Sequence, residues 1–261
     1  MPELPEVEAA SRIARRAVRG ETIAKVEVLH PAQRRSLPAR VALALAGDRV
    51  TSVARRAKYQ LLRLASGRTL VVHFRMAGDW SVMARGESLP RHSRVAFRFA
   101  SGGALVLVDP RALCTAHVVE AGERPLPALG PEADRPAFSA AYLGPALRDR
   151  STAIKVLLLD QSIVAGVGNI YASEALWYAR LDPRRPARDL SSAEVKRVVA
   201  GVHRVMRKAL AHPERYYQAG DDAQRFTVYD RAGQPCRRCQ GLIRRMVQAG
   251  RSTYWCPACQ R

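Results

Sequence analysis

Apolar residues near the start of the chain recur every three or four positions, which is the spacing of one face of an α-helix. They are Val7, Ala10, Ile13, Ala14, Ala17 and Val18. Acidic residues precede this stretch, arginines crowd its end, and Gly20 follows it. Because the helix dipole favours that order of charges and glycine caps helix C-termini, the pattern predicts a first helix from about residue 3 to 19.

The next hundred residues change to alternating apolar positions and short continuous apolar runs, both typical of β-strands. The runs lie at 23–28, 49–53, 61–64, 69–74, 95–99 and 104–108. Turn pairs such as Ser66-Gly67 and Gly102-Gly103 separate several of them. The pattern predicts six to eight strands in a β-sandwich or barrel.

Helical spacing returns in the second half of the chain, after a proline-rich stretch that predicts a linker or crossing loop. The spacing predicts three helices. The first ends near Ala165, the second spans 170–179, and the third runs from a capping box at 191–194 to about Leu210. We therefore expect an α+β fold. Its expected segments are a β-rich N-terminal domain at 1–120, a linker at 121–150, a helical domain at 151–225 and a cysteine module at 226–261.

The charge balance narrows the class of partner. Lysine and arginine number 43 against 23 aspartates and glutamates, a formal net charge of +20, which predicts a polyanion such as nucleic acid or an anionic membrane. No apolar run reaches the roughly 18 residues of a membrane span, and Glu3, Glu6 and Glu8 give the start the wrong charge for a signal peptide. We expect a soluble, intracellular nucleic-acid-binding protein. The alternative is that the charge has no ligand and reflects a basic proteome that generally prefers arginine to lysine.

Four of the five cysteines form two Cys-x2-Cys pairs, Cys236 with Cys239 and Cys256 with Cys259, sixteen residues apart. Each pair can present two thiolates to one tetrahedral Zn²⁺, and the insert is long enough for a β-hairpin. Because four cysteines leave no open coordination position, the predicted ion is structural. Cys114 lies outside this set.

Two further features bear on anion binding. The turn at 166–169 would place backbone N–H groups and the Asn169 side chain at a helix start, where they favour a phosphate; a glycine turn used only for its shape is the alternative. Gln248 to Ser252 have turn composition and are expected to tip the zinc hairpin, so that Arg251 projects either toward a ligand or merely into solvent.

Pro2 is a candidate nucleophile, although proline is also common near helix starts. After removal of Met1 its secondary amine would be free, and a terminal amine with a pKa near about 8 is far more often neutral at pH 7 than a lysine. The helix N-terminus lowers that pKa and the neighbouring glutamates raise it. Attack on C1′ of a sugar gives an iminium ion that promotes elimination of the 3′ phosphate, and Glu3 could carry the proton.

The chain resembles the formamidopyrimidine-DNA glycosylase and endonuclease VIII family, and Leu4 is typical of the formamidopyrimidine branch. The matching segments are PELPEVE at 2–8, RRAKY at 55–59, HFRMAG at 73–78, DPR at 109–111, LDQ at 159–161, AGVGNIYASEAL at 165–176, GRST at 250–253 and CPACQ at 256–260. The resemblance implies an N-terminal catalytic β-sandwich, a helix-two-turn-helix DNA-binding domain and a zinc-ribbon hairpin.

The resemblance also implies an activity. It is that of a bifunctional glycosylase and lyase in base excision repair, which removes an oxidised base and cuts the strand by β,δ-elimination. Its partner would be double-stranded DNA with an oxidised base or abasic site, its only cofactor one structural Zn²⁺, and its state a monomer in a bacterial cytoplasm, at the nucleoid.

Site residues follow from the same resemblance. Pro2 is expected to be the nucleophile, Glu3 the proton donor and acceptor, and Lys58 a phosphate-holding residue near the lesion. The expected DNA contacts are phosphate for His73, Asn169 and Arg251, the lesion base for Lys155, and the gap left by the extruded nucleotide for Met76 and Arg111. Extrusion is required because C1′ is inaccessible in stacked duplex.

Three departures from the family pattern bear on substrate choice. Relatives often continue Asp-Pro-Arg with Arg-Phe-Gly, whereas this chain has Ala112, Leu113 and Cys114, so an aliphatic side chain replaces the aromatic wedge. The stretch from 211 to 226 is shorter than the loop that closes over oxidised purines in the formamidopyrimidine branch, and Asp230 stands where glycine is common. Two other functions stay open, a DNA-binding protein without turnover and a zinc-ribbon protein that binds RNA or ribosomes.

Overall fold

The structure, a computed structural model, describes residues 2–211 and 226–261. The chain divides into two compact units, residues 1–127 and residues 128–261. In the described part of the chain, no helix is both long enough and apolar enough to cross a membrane.

The first unit holds two antiparallel four-stranded sheets and one long helix. Its helices are α1 (Leu4–Val18) and α2 (Ala39–Leu43), with a 3-10 helix at Pro31–Arg35. Its strands are β1 (Ile23–Val28), β2 (Val50–Arg56), β3 (Tyr59–Leu64), β4 (Thr69–His73), β5 (Asp79–Met83), β6 (Ser93–Phe99), β7 (Ala104–Val108) and β8 (Thr115–Val119). One sheet has the order β1-β6-β7-β5 and the other β2-β3-β4-β8, so the predicted range of six to eight strands is confirmed at its upper end.

Helix α1 confirms the first predicted helix to within a residue at each end. Its buried stripe packs against β2 and β5, one strand of each sheet. The stripe contains Leu4, Val7, Ala10, Ala14 and Val18. Ile13, which the sequence pattern assigns to this face, is instead 44% exposed.

In its described residues, the second unit holds four α-helices, a short 3-10 helix at Ala187–Asp189 and one β-hairpin. Its elements are α3 (Ala140–Leu147), α4 (Ile154–Leu157), α5 (Asn169–Ala179), α6 (Ser192–Ala211), β9 (Arg244–Gln248) and β10 (Arg251–Trp255). Helix α6 packs against α5 and α3, and β10 packs against α5. The capping box that predicts the start of α6 is present, because Glu194 N–H donates to Ser191 Oγ at 3.3 Å and Ser191 N–H to Glu194 Oε2 at 2.9 Å.

The prediction that a helix ends near Ala165 is wrong, because α4 ends at Leu157 and consecutive turns follow it. Asp160 explains the stop. Its Oδ1 accepts hydrogen bonds from Ser162 N–H at 2.9 Å and Ser162 Oγ at 2.7 Å, and such local bonding competes with helix propagation.

The segment expected to be a linker contains α3, which Ser139 caps by accepting a hydrogen bond from Tyr142 N–H at 3.2 Å. Phe138, Leu143 and Leu147 are buried there. Two strands that the sequence pattern did not indicate, β5 and β8, lie at sheet edges. Each buries only one of its five residues, so neither shows the apolar alternation or run that indicates a strand.

Candidate active site and nucleic-acid interface

The N-terminal end of α1 holds Pro2 and Glu3. Glu3 is 1% exposed and occupies the N-cap position, where its N–H donates to Glu6 Oε2 at 2.9 Å and its carbonyl accepts from Val7 N–H at 3.0 Å. Because these bonds fix the backbone of Glu3, they also fix the position of Pro2, which is partly buried beside it. A secondary amine and a carboxyl group thus stand on adjacent residues at a rigid helix start.

Lys58 lies in the tight turn between β2 and β3 and is 8% exposed. The turn is tied to α1 by Arg55, whose Nε donates to Glu8 Oε2 at 3.0 Å and whose Nη1 donates to the Ala57 carbonyl at 3.1 Å. Ala57 has a left-handed φ of 53°, a conformation that a non-glycine residue keeps only where its surroundings fix it. The hydrogen bonds of Arg55 therefore fix the position of the Lys58 turn relative to the start of α1, where Pro2 and Glu3 lie.

His73 ends β4 directly opposite Tyr59 of β3, with ring centroids 4.7 Å apart. Its Nδ1 accepts the Arg75 N–H at 2.9 Å, which leaves the ring proton on Nε2. Burial, with the charges of Arg75 and Lys58, lowers the pKa of His73 to about 4. His73 is therefore a neutral donor at physiological pH, and Lys58 lies within electrostatic range of it.

Met76 stands at the tip of the loop between β4 and β5 and is 42% exposed. The loop is closed at its base by a hydrogen bond from Gly78 N–H to the Phe74 carbonyl at 3.0 Å. A Cβ on Gly78 would come within 2.7 Å of the Phe74 carbonyl oxygen, so the close approach requires glycine. The closed loop leaves an unbranched apolar side chain projecting from the unit.

Arg111 lies in the loop that follows β7, and it is exposed. Asp109, fully buried, organises this loop through its carboxylate, which accepts the N–H groups of Arg111 at 2.9 Å and of Leu113 and Cys114 at 2.7 Å each. Leu113 is 49% exposed. The loop thus presents one guanidinium and one aliphatic side chain outward from a fixed base.

Cys114 itself points inward and is 2% exposed. Burial, together with the charge of Asp109, raises the pKa of its thiol to about 12. The thiol is therefore protonated at physiological pH, and it is a weak nucleophile.

In the second unit, Lys155, Asn169 and Ser252 meet. Lys155 is fully buried, and its ammonium group donates to Asn169 Oδ1 and to the Ser252 carbonyl, the latter at 3.5 Å. Asn169 Nδ2 donates to the same carbonyl at 2.9 Å. Asn169 is the first residue of α5, after the N-cap Gly168, so the amide stands where a helix N-terminus favours an anion.

Arg251 begins β10 beside the hairpin tip, paired with Gln248, and it is exposed. Left-handed Ala249 and Gly250 form the tip, as the turn composition predicts. The Ser252 that follows is the residue whose carbonyl binds Lys155 and Asn169, which joins the hairpin to the start of α5.

The four cysteine sulfurs lie within 4.8 Å of one another. Cys236 and Cys259 Sγ are 4.0 Å apart, and Cys239 and Cys256 Sγ are 3.5 Å apart. A tetrahedral Zn²⁺ with bonds of about 2.3 Å requires sulfurs about 3.8 Å apart, whereas a disulfide requires about 2.05 Å. The site therefore fits zinc, and its four thiolates leave no position for a substrate.

Donors around the cluster support thiolate at Cys236. Burial raises the pKa of this thiol, but the N–H groups of Arg238 and of the Trp177 indole, each 3.4 Å from Sγ, outweigh it and bring the pKa to about 6. The guanidinium of Arg238 lies 4.0 Å from the centre of the Trp177 ring. Residues that orient a ligand in this way are part of a metal site.

Three supporting residues escaped sequence reasoning: Arg55, Asp109 and Glu174. All three lie in matching segments, at 55–59, 109–111 and 165–176, but only their partners reveal what they do. Glu174, 5% exposed on α5, accepts the backbone N–H groups of Thr227 to Tyr229 at 2.8 to 3.0 Å. A glutamate among the apolar residues of the predicted helix at 170–179 was the available signal in the sequence.

Three family descriptions match the chain in order. They are "Formamidopyrimidine-DNA glycosylase N-terminal domain" at residues 1–116, "Formamidopyrimidine-DNA glycosylase H2TH domain" at 129–218 and "Zinc finger found in FPG and IleRS" at 233–261. The chain belongs to the formamidopyrimidine-DNA glycosylase family. It is accordingly a DNA glycosylase of base excision repair, and lyase activity is characteristic of this family.

Relatives and solved structures agree with this membership. Formamidopyrimidine-DNA glycosylases of Novosphingobium aromaticivorans and Roseiflexus are 38% and 39% identical, each with all of both chains covered. A mutant Lactococcus lactis enzyme in complex with DNA containing Fapy-dG gives a TM-score of 0.92 at 28% identity, with all of both chains covered. The same species' enzyme bound to DNA with an abasic site gives 0.90 at 28% identity and 99% coverage of each chain.

The sequence-predicted site residues are divided between the units. The first unit carries Pro2, Glu3, Lys58, His73, Met76 and Arg111, and the second carries Lys155, Asn169, Arg251 and the four cysteines. Within the first unit, the ion pair between Glu8 and Arg55 links the start of α1 to the Lys58 turn. Within the second, Ser252 links Lys155 to Asn169.

Proposed function

We propose that the chain removes oxidised bases from DNA with Pro2 as the nucleophile. The observation that carries this proposal is the placement of Pro2 immediately before Glu3, at a helix start fixed by backbone hydrogen bonds. Once Met1 is removed, the nitrogen lone pair attacks C1′, the C1′–N bond to the base breaks, and the base leaves with a proton. Glu3 protonates O4′ as the sugar ring opens, which gives the iminium ion.

Strand cleavage follows from that iminium. Loss of a proton from C2′ delivers an electron pair that expels the 3′ phosphate, and a second elimination expels the 5′ phosphate. Water then hydrolyses the iminium and restores the free amine. A secondary amine suits this sequence because its imine adduct stays cationic and accepts the electron pair in each elimination.

We assign the phosphate contacts to Lys58, His73, Asn169 and Arg251. Lys58 and Arg251 contribute charge, whereas His73 and Asn169 contribute neutral N–H donors, in agreement with the low pKa of His73 and the bonding of the Asn169 amide. Because phosphate contacts fix the strand in register, they place C1′ against Pro2.

The exposed side chains of Met76 and Arg111 are assigned to the gap that the extruded nucleotide leaves. Lys155 was expected near the lesion base. We keep that assignment as a proposal, and its burial against Asn169 and Ser252 supports a positioning role in the second unit as well.

Zinc would be held by the four cysteines of the hairpin module. When bound, it supplies folding free energy to a segment too small to form a core, and Arg251 is then presented from a rigid hairpin. The module therefore serves DNA binding, while the chemistry belongs to the first unit.

The substrate is proposed to be an oxidised purine or ring-opened purine, with oxidised pyrimidines as further candidates. The departures at Ala112 to Cys114 alter the loop that carries Arg111; the short stretch at 212–225 lies outside the described residues. We also propose that the protein works as a monomer in a bacterial cytoplasm on nucleoid DNA, in agreement with its bacterial relatives and its net charge of +20. A fluorescent fusion at the C-terminus that does not follow the nucleoid would contradict this location.

Borohydride trapping tests the chemistry. Reduction of the iminium should leave a covalent protein–DNA adduct on a duplex with an abasic site, and Pro2→Gly should abolish it. Pro5→Gly, on the same helix start, is the matched control and should retain trapping. A wild-type protein with Met1 removed that binds the duplex but forms no adduct would instead be a binding protein without turnover.

A further inference from the structure

Gln33 is a buried residue to which the mechanism so far assigns no role. It is 1% exposed and lies in the 3-10 helix at Pro31–Arg35, where its backbone is held by Gln33 N–H to the His30 carbonyl at 3.1 Å and by Leu37 N–H to the Gln33 carbonyl at 2.8 Å. The side chain of this fixed residue reaches a loop about eighty positions further along the chain.

The loop in question is residues 109–114, which carries Arg111 and Leu113. Gln33 Nε2 donates to the carbonyl of Ala112 at 3.3 Å and to that of Cys114 at 3.0 Å, and it lies 3.7 Å from Cys114 Sγ. Both hydrogens of the amide nitrogen are therefore used on the loop.

The unpaired end of the same amide fixes how Gln33 is oriented. Among the described residues, Gln33 Oε1 is buried and has no hydrogen-bond partner. A rotated amide would place that oxygen against two carbonyl oxygens, which is repulsive, so the two donor bonds decide the orientation. An unpaired buried acceptor costs free energy, and the contacts to the loop offset that cost.

Gln33 completes a clamp that Asp109 begins. The Asp109 carboxylate accepts the N–H groups of Arg111, Leu113 and Cys114, while Gln33 supplies donors to the carbonyls between and after them. Ala112 keeps a left-handed φ of 55° inside this clamp. Since a non-glycine residue keeps such a conformation only where its surroundings fix it, the hydrogen bonds from Gln33 and to Asp109 fix the backbone from which Leu113 and Arg111 project.

We propose that Gln33 is a positioning residue that sets the geometry with which Arg111 and Leu113 enter the duplex. The inference rests on the proposed function of these two side chains. The amide of Gln33 holds the carbonyl side of a loop in which Ala112, Leu113 and Cys114 replace the usual Arg-Phe-Gly. In this way a shorter, aliphatic wedge is kept at a fixed angle against the orphaned base.

Single-turnover cleavage of two abasic substrates tests the proposal, because only a duplex contains a gap and an orphaned base. Gln33→Met keeps the length and volume of the side chain and removes both donors. We expect it to slow cleavage of the duplex about tenfold, to change cleavage of the single strand less than twofold, and to weaken discrimination between the four opposite bases. The slowing should appear in the rate constant for cleavage at saturating enzyme.

Phe99→Leu is the matched control, since Phe99 is 5% exposed at the end of β6 in the same unit, where it pairs with Ile23 of β1. It should lower the melting temperature and leave the ratio of duplex to single-strand rates unchanged. An equal change of both rates in Gln33→Met, or no change in either, would overturn the positioning role. A wild-type protein that cleaves neither substrate would refute the proposed function, and the inference would fall with it.

Gln33→Glu provides a second measurement, which decides the matter if Gln33→Met does not fold. A protonated carboxyl group keeps one donor for the loop carbonyls, and a carboxylate keeps none. The ratio of duplex to single-strand rates in this variant, divided by the wild-type ratio, should therefore fall as pH rises. The proposal would be contradicted if this relative ratio did not change with pH while the variant cleaved the single strand as fast as the wild type.

Discussion

The side-chain amide of Asn169 donates a hydrogen bond to the carbonyl of Ser252, 2.9 Å away, and thereby joins the start of α5 to the zinc hairpin. The ammonium group of Lys155 binds both residues from below the surface. The start of α5 and the zinc hairpin, two elements distant in sequence, thus share one buried cation.

Lys155→Met should weaken binding to lesion-containing duplex by about tenfold, roughly 1.4 kcal/mol, because the Asn169 and Ser252 acceptors lose their charged donor. The dependence of log affinity on log salt should keep its wild-type slope, since Lys155 is buried and releases no counterion. Arg251→Gln should instead reduce that slope by about 0.9, the value for one phosphate contact. Salt titrations by fluorescence anisotropy would measure both, with the exposed Lys196→Met as control; a smaller slope in Lys155→Met would contradict the positioning role.

His73 should make stability depend on pH. Its pKa is about 4 in the folded chain and about 6.5 in an unfolded one, so the unfolded chain binds more protons between those values. Stability is therefore lost as pH falls from about 6.5 toward 4, by on the order of 2–3 kcal/mol.

His73→Asn tests this dependence, since asparagine can still accept the Arg75 N–H but does not titrate. Chemical denaturation between pH 4 and 7.5 should show a shallower slope for the variant than for wild type. His92→Asn, in the turn just before β6 of the same unit, serves as the control. Parallel pH profiles for wild type and His73→Asn would show that His73 titrates normally.

Removal of zinc should unfold the module at 226–261 and abolish tight DNA binding, because the metal supplies on the order of 10 kcal/mol to a small segment. Circular dichroism and anisotropy after treatment with a strong chelator would follow the two losses, and added Zn²⁺ should reverse them. Cys239→Ser should reproduce the apo state, whereas Cys114→Ser should retain zinc. Full DNA affinity in the metal-free protein would refute the role of the module.

Glu174→Gln should lower the free energy of unfolding by about 2–4 kcal/mol, because an amide NH₂ group would face backbone N–H donors that the carboxylate now binds. Glu194→Gln, which weakens the capping box of α6 and the partly exposed ion pair with Arg185, should cost about 1 kcal/mol or less. Urea denaturation of both variants in the zinc-bound state makes the comparison. Equal losses would mean that the Glu174 contacts contribute no more than an ordinary cap.

Local patterns predicted the parts of this molecule that local spacing determines. The period of apolar residues predicted α1, α5, α6 and most strands, and the cysteine spacing predicted the zinc cluster. The contacts that position the site were beyond such patterns. Glu8 meets Arg55, and Gln33 meets Cys114, only after the sheets have formed, and neither pair leaves a periodic trace. The complete burial of Lys155 was likewise beyond such patterns, and only the fold reveals it.

The inward-facing thiol of Cys114 has a practical consequence for following the protein in solution. With zinc bound, the metal occupies the four thiolates of the cysteine cluster, and the thiol of Cys114 is buried and protonated. A maleimide dye should therefore label the native protein poorly. Four equivalents of label should react when the metal leaves, and a fifth only when the first unit unfolds. The number of dyes attached would therefore separate demetallation from unfolding in one time course.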